Sequence, residues 1–276
     1  MEAHPYAATD LWRVIENALL AAGKDPRNLT SADTASFDHF HTGGIDASLD
    51  LLELALTTEP HDVLDLGAGV GGASRFLAEH TKASIVSLDF EREFCAVNAR
   101  LTSLLGYSGR IRVLVGDATE IPFRSASFDW VWMQQAAMNI ADKARLHAEL
   151  VRVLRPGGCF VFQEILAGSD PGPLQLPTAW AAVQADSHLE PPEEMRARLH
   201  GLGLDEVAFE DVTDRLLPGL RARFEAARAD GAPTLGVHLL STSDLTSILE
   251  GMLRSTEMGR LRFVRGVYQA SWPGLL

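Results

Sequence analysis

The segment that decides the fold reads Val63-Leu64-Asp65-Leu66-Gly67-Ala68-Gly69-Val70-Gly71-Gly72. Its first half is a short apolar run interrupted by one acid, which is typical of a buried strand in a parallel sheet. Its second half is a glycine turn that leads into a helical pattern. Glycines let the backbone approach a ligand closely, and the start of the helix offers unpaired N–H groups. We therefore predict a strand, a turn and a helix with a ligand at the turn.

The same alternation continues along the chain. From residue 61, short apolar runs alternate with longer amphipathic stretches, as a parallel sheet with crossover helices requires. Strands are predicted at 62–66, 84–89, 111–115, 128–134, 159–165, 206–212 and 261–270. Helices are predicted at 9–22, 44–55, 71–80, 90–105, 143–153, 178–189, 193–202 and 219–229. We expect an α/β protein in which residues 1–58 form a helical lid, 59–167 the ligand-binding core, and 168–276 the rest of the sheet with a helical insertion at 214–258.

Three acids fall at the ends of three successive predicted strands. Asp65 would lie near the ammonium group of a bound amino acid. Asp89 ends the second strand, where a carboxylate can accept hydrogen bonds from both hydroxyls of a ribose. Asp117 follows the third strand and could bind the amino group of adenine. Together they outline an amino acid joined to a nucleoside, which favours S-adenosylmethionine.

A dinucleotide is the main alternative ligand. Gly67, Gly69 and Gly72 also satisfy the spacing of the dinucleotide fingerprint, and that pattern alone is weak evidence. A pyrophosphate at this turn would be repelled by Asp65, and it needs no acid at Asp117. We therefore favour the methyl donor and keep an NAD-dependent oxidoreductase as the alternative.

The amino-acid composition limits the classes of binding partner that we expect. The chain has 24 Lys and Arg against 37 Asp and Glu, a formal net charge of -13, which disfavours nucleic acid and anionic membrane surfaces. It has two cysteines, Cys95 and Cys159, which read as buried and show no metal-ligand spacing, so we expect no metal site and a reducing cytoplasm. We also expect no signal peptide and no transmembrane helix.

On these motifs the chain resembles the class I S-adenosylmethionine-dependent methyltransferases of the type 11 kind, especially the sarcosine/dimethylglycine N-methyltransferases and the ubiquinone/menaquinone C-methyltransferases. The resemblance covers about 37–164 and, more thinly, 186–228. It implies a Rossmann-like, mainly parallel seven-stranded sheet with helices on both faces and an antiparallel last strand. It also implies a lid at 40–44 and methyl transfer to nitrogen, carbon or oxygen of a small molecule, in secondary metabolism. The implied cofactor contacts are Asp65, Gly67, Ala68, Gly69, Gly71, Asp89, Phe90, Asp117, Ala118 and Gln134.

The acceptor side departs from the relatives. Many of them carry an acid after the matching glutamine and a histidine a few positions on, whereas this chain has Gln135 and Asn139. A base that relatives carry at these two positions is therefore missing from this chain. For this reason a non-enzymatic protein that binds S-adenosylmethionine remains another alternative. We predict acceptor contacts at Gln135, Asn139, Trp180, His188 and His238, although simple packing is the more ordinary role for the last three.

Proton removal is the remaining chemical question. An amine that arrives neutral needs little help, but a hydroxyl or an acidic carbon must lose a proton, and histidine is the usual agent near neutral pH. His39 and His41 lie in the predicted lid, and Glu164 lies at the carboxyl end of the fifth strand. We predict these three as candidate catalytic residues, and we leave open a homodimer.

Overall fold

A computed structural model describes residues 10–55 and 59–271 of the chain. The sheet has the strand order β3-β2-β1-β4-β5-β7-β6. Its strands are β1 Asp62–Leu66, β2 Ser84–Asp89, β3 Ile111–Val115, β4 Phe128–Gln134, β5 Leu154–Ala167, β6 Leu204–Asp211 and β7 Leu261–Ala270. The helices are α1 Leu11–Ala21, α2 Ser31–Asp38, α3 Gly44–Ala55, α4 Gly72–His80, α5 Arg92–Leu104, α6 Lys143–Val153, α7 Pro192–Gly201, α8 Thr213–Asp230 and α9 Leu245–Glu257.

The pairing confirms the predicted fold class. Strands β1 to β5 pair with their neighbours in parallel, and β7 is antiparallel to both β5 and β6. The chain order reverses between β1 and β4, because β2 and β3 lie to one side and β5 to the other. In such sheets a ligand binds in the crevice outside the carboxyl ends of the strands at this switch point. The glycine turn that follows β1 opens onto that crevice.

Buried side chains cover both faces of the sheet. Trp130 and Trp132 alternate along β4 and therefore share one face, where both are buried with Phe76 of α4 and Leu51 of α3. The opposite face holds Phe160 with side chains of α6 and α7. A further cluster packs α8 and α9 over the end of β5, and another packs α1 and α5 against residues 235–240. The last two clusters place chain segments over the crevice.

Two parts of the sequence prediction differ from the structure. The predicted helix at 178–189 is wrong, because this stretch is irregular with a short 3₁₀ turn at Gln184–Asp186. Tertiary hydrogen bonds hold it instead, among them one from the Trp180 Nε1 to the Ser187 Oγ at 2.9 Å. Helix α2 was not predicted, and it begins with a capping box in which the Asp33 carboxylate accepts from the Thr30 N–H.

Two helices, α8 and α9, lie between β6 and β7, where the insertion at 214–258 was predicted. Within the described ranges, none of the helices combines the length and the apolar character that crossing a bilayer would need.

Candidate active site

The glycine turn joins β1 to α4 through backbone that only glycine adopts easily. Gly67 and Gly69 have φ values of 75° and 54°. A Cβ atom on Gly67 would lie 2.2 Å from the Cβ atom of Ala136, which follows β4. The turn after β1 and the turn after β4 are therefore in direct contact, and glycine is required at this point for both dihedral and steric reasons.

Asp65 is a buried carboxyl group beside this turn. Its Oδ2 accepts a hydrogen bond of 2.5 Å from the Ser74 Oγ of α4. The pKa of Asp65 is raised to about 7, mainly by burial. The hydrogen bond from Ser74 opposes this shift, and the negative charge of Asp89 contributes to it. The Arg75 charge lowers the pKa of Asp65 only in part, and Arg75 is bonded to Asp38 instead. A buried carboxylate that is not directly paired is costly, so the site suits a ligand ammonium group.

Asp89 links the second strand to the glycine turn. Its two carboxylate oxygens accept the Gly69 N–H and the Glu91 N–H, each at 2.8 Å. Burial raises the pKa of Asp89 above its usual range. Each oxygen has a second lone pair, so the group can still accept from a ligand hydroxyl. Asp117 is exposed, and its Oδ1 is held by the N–H and hydroxyl of Thr119.

A cavity of about 380 Å³ joins these carboxylates to the lid. That volume is within the range of small-molecule sites. The structure brings together most of the residues expected from the sequence. The predicted residues that line the cavity are His41, Asp65, Gly67, Ala68, Gly69, Asp89, Phe90, Asp117, Ala118, Gln134, Gln135 and Asn139.

Six predicted residues do not line the cavity. They are His39, Gly71, Glu164, Trp180, His188 and His238. Gly71 is instead the N-cap of α4, with φ 87° and the Asn98 side chain pressed against it. Trp180 is fully buried among side chains of α8 and α9, which corrects its assignment as an acceptor contact.

His188 and His238 also lie away from the cavity wall. The backbone of His188 bonds to Met138 and Lys143, so it fixes a neighbouring loop rather than offering its ring. His238 lies in the short 3₁₀ turn Val237–Leu240, and the residue of this turn that reaches the cavity is Leu240. The segment of His238 reaches the cavity through Leu240, whereas no described residue from 168 to 190 lines it.

His39 and His41 have different surroundings. The His39 ring stands edge-on to Phe76, 6.2 Å between centroids, and its Nε2 is 3.9 Å from the Asp38 carboxylate. The His41 Nε2 lies 3.0 Å from the Gly44 carbonyl oxygen and 3.1 Å from the Ser48 Oγ. Burial lowers the pKa of both rings, that of His41 to about 3. Both imidazoles are therefore neutral at pH 7, and only His41 faces the cavity.

The lid is tied to the sheet through Thr42. Its N–H donates to the Gln135 Oε1 at 3.0 Å, and its carbonyl oxygen accepts from the Gln163 Nε2 at 2.8 Å. Ser48 of α3 adds a 3.3 Å bond to the Gln134 Oε1. Glutamines at the end of β4, just after it and within β5 thus hold the lid over the crevice.

The turn after β4 is held by two buried charged groups, which we call the turn clamp. The Glu164 carboxylate accepts the N–H groups of Ala136 and Ala137 at 3.0 and 3.2 Å. The Lys143 ammonium donates to the carbonyl oxygens of Ala137, Ile140 and His188. Burial raises the pKa of Glu164 to about 7 and lowers that of Lys143. Glu164 therefore positions the cavity wall from behind instead of facing the ligand.

Sequence reasoning missed Asp38, Lys143 and Leu240. Asp38 ends α2, lines the cavity and forms a buried ion pair of 2.9 Å with Arg75 of α4. The sequence predicts no helix between residues 22 and 44, so it misses the helix that carries Asp38. In the sequence, Lys143 resembles an ordinary surface lysine. The one sign of a special role is its place in the first turn of a predicted helix, where a cation is unfavourable because of the helix dipole.

The cavity wall is strongly acidic. The acidic and basic side chains among its described lining residues are six carboxyl groups and one neutral histidine. Neither lysine nor arginine is among them. The carboxylates are Asp38, Asp65, Asp89, Glu91, Asp117 and Asp142. No group of three or more His, Cys, Asp or Glu side chains in the described part of the chain could hold a metal ion. The site thus suits an organic ligand with positive charge, as S-adenosylmethionine has.

Comparison with known proteins agrees with this geometry. A family model described as a methyltransferase domain matches residues 64–162, which run from β1 to β5. The dimethylglycine N-methyltransferase of Parasynechococcus marenigrum is 31% identical over 214 residues, covering 76% of this chain and 72% of that protein. The chain belongs to the class I S-adenosylmethionine-dependent methyltransferases. The NAD alternative is thereby set aside.

Other similarities differ in extent. The glycine/sarcosine/dimethylglycine N-methyltransferase of Actinopolyspora halophila is 32% identical over 154 residues, and the chain spans only 27% of that protein. The fold is also that of the geranyl diphosphate C-methyltransferase of Streptomyces coelicolor in complex with S-adenosylhomocysteine, with TM-score 0.67, 16% identity and coverage of 82% of this chain and 78% of that one. This methyltransferase therefore shares its fold or part of its sequence with proteins whose names give different substrates.

Proposed function

We propose that this methyltransferase transfers a methyl group from S-adenosylmethionine to a small-molecule acceptor that carries no negative charge. The observation that supports it is the acidic cavity wall, which has six carboxylates and neither lysine nor arginine among its described residues. A carboxylate about 4 Å from an anion costs about 4 kcal/mol at an effective dielectric constant of about 20. A carboxylate or phosphate acceptor would meet this repulsion with neither lysine nor arginine on the described cavity wall to bind it, since the nearby Arg75 is already paired with Asp38.

The proposal separates this chain from its named relatives. Dimethylglycine carries a carboxylate and geranyl diphosphate carries a diphosphate, and these are the acceptors that the names of those proteins give. The part of the chain that roofs the cavity includes Leu240, which lies outside the residues matched by the family model. The acceptor class therefore depends on the region where the family resemblance is weakest.

The side chains around the cavity have separable roles in this reaction. When bound, S-adenosylmethionine supplies an electrophilic methyl group on a sulfonium. Asp65 would hold its ammonium group and Asp89 its ribose hydroxyls. Phe40 and Leu240 line the cavity from the lid and the roof and exclude water. His41 and Gln135 lie between the lid and the end of β4, where an acceptor would be aligned.

A matched acceptor series tests the charge preference. Each scaffold, from phenylethyl to steroid size, is offered as alcohol, amine, carboxylate and phosphate, with radiolabelled methyl donor and product analysis by mass spectrometry. We expect transfer to uncharged or cationic members, with kcat/KM for the carboxylate and phosphate members at least a hundredfold lower. Efficient methylation of the anionic members, or the absence of transfer to every member, would refute the proposal. The latter result would favour a non-enzymatic binding protein.

Setting and assembly are further parts of the proposal. Both cysteines are free and buried, which suits a reducing cytoplasm. A homodimer and a place in secondary metabolism remain predictions. Light scattering of the purified chain tests the first, and the identity of the best acceptor in the series tests the second.

A further inference from the structure

Gln135 lines the cavity and carries a buried hydrogen-bond donor that has no partner among the described residues. It directly follows β4 with a φ of 51°, and its side-chain Oε1 accepts from the N–H and the hydroxyl of Thr42. A backbone N–H can only donate, so this contact fixes the orientation of the amide. Its Nε2 is buried and has no partner among the described residues. A buried amide donor without an acceptor is costly, and a ligand bound in the cavity that Gln135 lines would supply one.

His41 presents the complementary acceptor. Its Nε2 lies 3.0 Å from the carbonyl oxygen of Gly44, which can only accept, so Nε2 carries the hydrogen and Nδ1 carries the lone pair. Burial holds the pKa of His41 at about 3, so the ring stays neutral. The ring lines the cavity beside Thr42, to which Gln135 is bonded.

Gln135 and His41 both line the cavity, and a hydroxyl group is able to accept from one side chain and donate to another. We infer that the methyl acceptor is the oxygen of a neutral alcohol or phenol, which accepts from the Gln135 Nε2 and donates to the His41 Nδ1. This inference rests on the proposed methyl transfer and names its acceptor atom. A carbonyl would leave Nδ1 without a donor, and an ammonium would face the Nε2–H groups of Gln135.

The reaction balances with these two residues alone. The hydroxyl oxygen gains the methyl group, the sulfonium sulfur keeps the electron pair of the bond that breaks, and the hydroxyl proton passes to the His41 Nδ1 and then to water. An oxygen that is gaining a methyl group becomes far more acidic than a free hydroxyl. A weakly basic imidazole can therefore take its proton. Orientation of the lone pair of the hydroxyl oxygen toward the methyl group contributes more to the rate than proton removal does.

Two glutamines provide a matched pair of variants. Gln135 and Gln163 both bond to Thr42, but only Gln135 lines the cavity. Gln135→Met removes the acceptor of the Thr42 N–H, and Gln163→Met removes the donor to the Thr42 carbonyl oxygen together with a 3.4 Å bond from the Gln134 Nε2. Each variant therefore weakens the attachment of the lid with little change in side-chain length. With the best alcohol of the acceptor series, we expect kcat/KM to fall at least thirtyfold in Gln135→Met and less than fivefold in Gln163→Met. S-adenosylhomocysteine affinity, measured by calorimetry, should stay within threefold in both and shows that the site is intact.

The outcomes distinguish the inference from the proposed function. Alcohols or phenols as the methylated members, with the Gln135→Met loss, support the inference. Transfer to amines or to carbon with no transfer to alcohols overturns it and leaves the uncharged-acceptor proposal standing. An equal loss in both methionine variants also overturns it, because the lid contact alone would then explain the effect. Transfer to anionic members overturns the proposed function itself.

Discussion

The two ends of the cavity are built in different ways. At the cofactor end, Asp65, Asp89 and the glycine turn lie within one stretch of 27 residues from 63 to 89, and Asp89 bonds to the glycine turn. At the acceptor end, residues far apart in the chain meet, since Thr42 bonds to Gln135 and Gln163 across separations of 93 and 121 residues. The first end is a local motif that can be shared among relatives, whereas the second depends on how the lid and roof pack.

The two ends touch at Gly67 and Ala136, which gives the largest expected effect. Gly67→Ala would place a Cβ atom 2.2 Å from the Ala136 Cβ and push the turn after β4 away from the turn after β1. We expect the Kd for S-adenosylhomocysteine, measured by calorimetry, to rise about a hundredfold, since misplaced groups lose several hydrogen bonds together.

Gly106→Ala is the matched control. Gly106 also has a positive φ, 81°, but no atom lies within 4 Å of a Cβ built there. It carries the same kind of backbone strain without the contact. Equal Kd values for the two variants would show that strain, and not the junction of the two ends, explains the glycine.

Asp89→Ala should affect the cofactor end alone. The carboxylate braces Gly69 and would bind ribose through charge-assisted hydrogen bonds, each worth roughly 1.5–3 kcal/mol before losses to solvent. We expect at least tenfold weaker binding of S-adenosylhomocysteine by calorimetry, with an unchanged circular dichroism spectrum. Asp117→Ala should cost less, because Asp117 is exposed. A larger loss at Asp117 would reverse this ranking.

Asp65, at the cofactor end, should determine the pH dependence of cofactor binding, whereas His41 at the acceptor end should not. Its pKa of about 7 in the free protein should fall when a ligand ammonium binds, so binding releases a proton below pH 7. The Kd should therefore rise about tenfold from pH 8 to pH 6 and level off above pH 8. His41, with its pKa of about 3, should add no change in this range. Calorimetry on Asp65→Asn should give a flat profile, and a persisting slope would assign the proton elsewhere.

Glu164→Gln should give the smallest effect, confined to the acceptor end. The turn clamp loses one of two accepted N–H groups, so the wall at Ala136 and Ala137 loosens. Steady-state kinetics should show the acceptor KM rising about fivefold while kcat and cofactor affinity change less than threefold. A fall in kcat of about a hundredfold would instead support the catalytic role predicted from the sequence.

Much of the cofactor end was predictable because its signals are local. The spacing of Asp65, Gly67 and Asp89 follows from how a strand, a turn and a helix connect, and those bounds agree with the structure within a few residues. The residues of the C-terminal region were harder to place from the sequence. Trp180 and His188 lie in a segment predicted to be helical, and tertiary hydrogen bonds such as that from the Asn139 side chain to the Trp180 carbonyl oxygen decide its path.

The sequence by itself determined the class of sheet, the place of the glycine turn and the three acids at consecutive strand ends. Periodicity and strand-end position encode these features within short windows. Only the tertiary structure decided that His41 and not His39 faces the cavity, and that Glu164 and Lys143 hold its wall from behind. These outcomes depend on side-chain direction, burial and contacts between distant segments, which no short stretch of sequence contains.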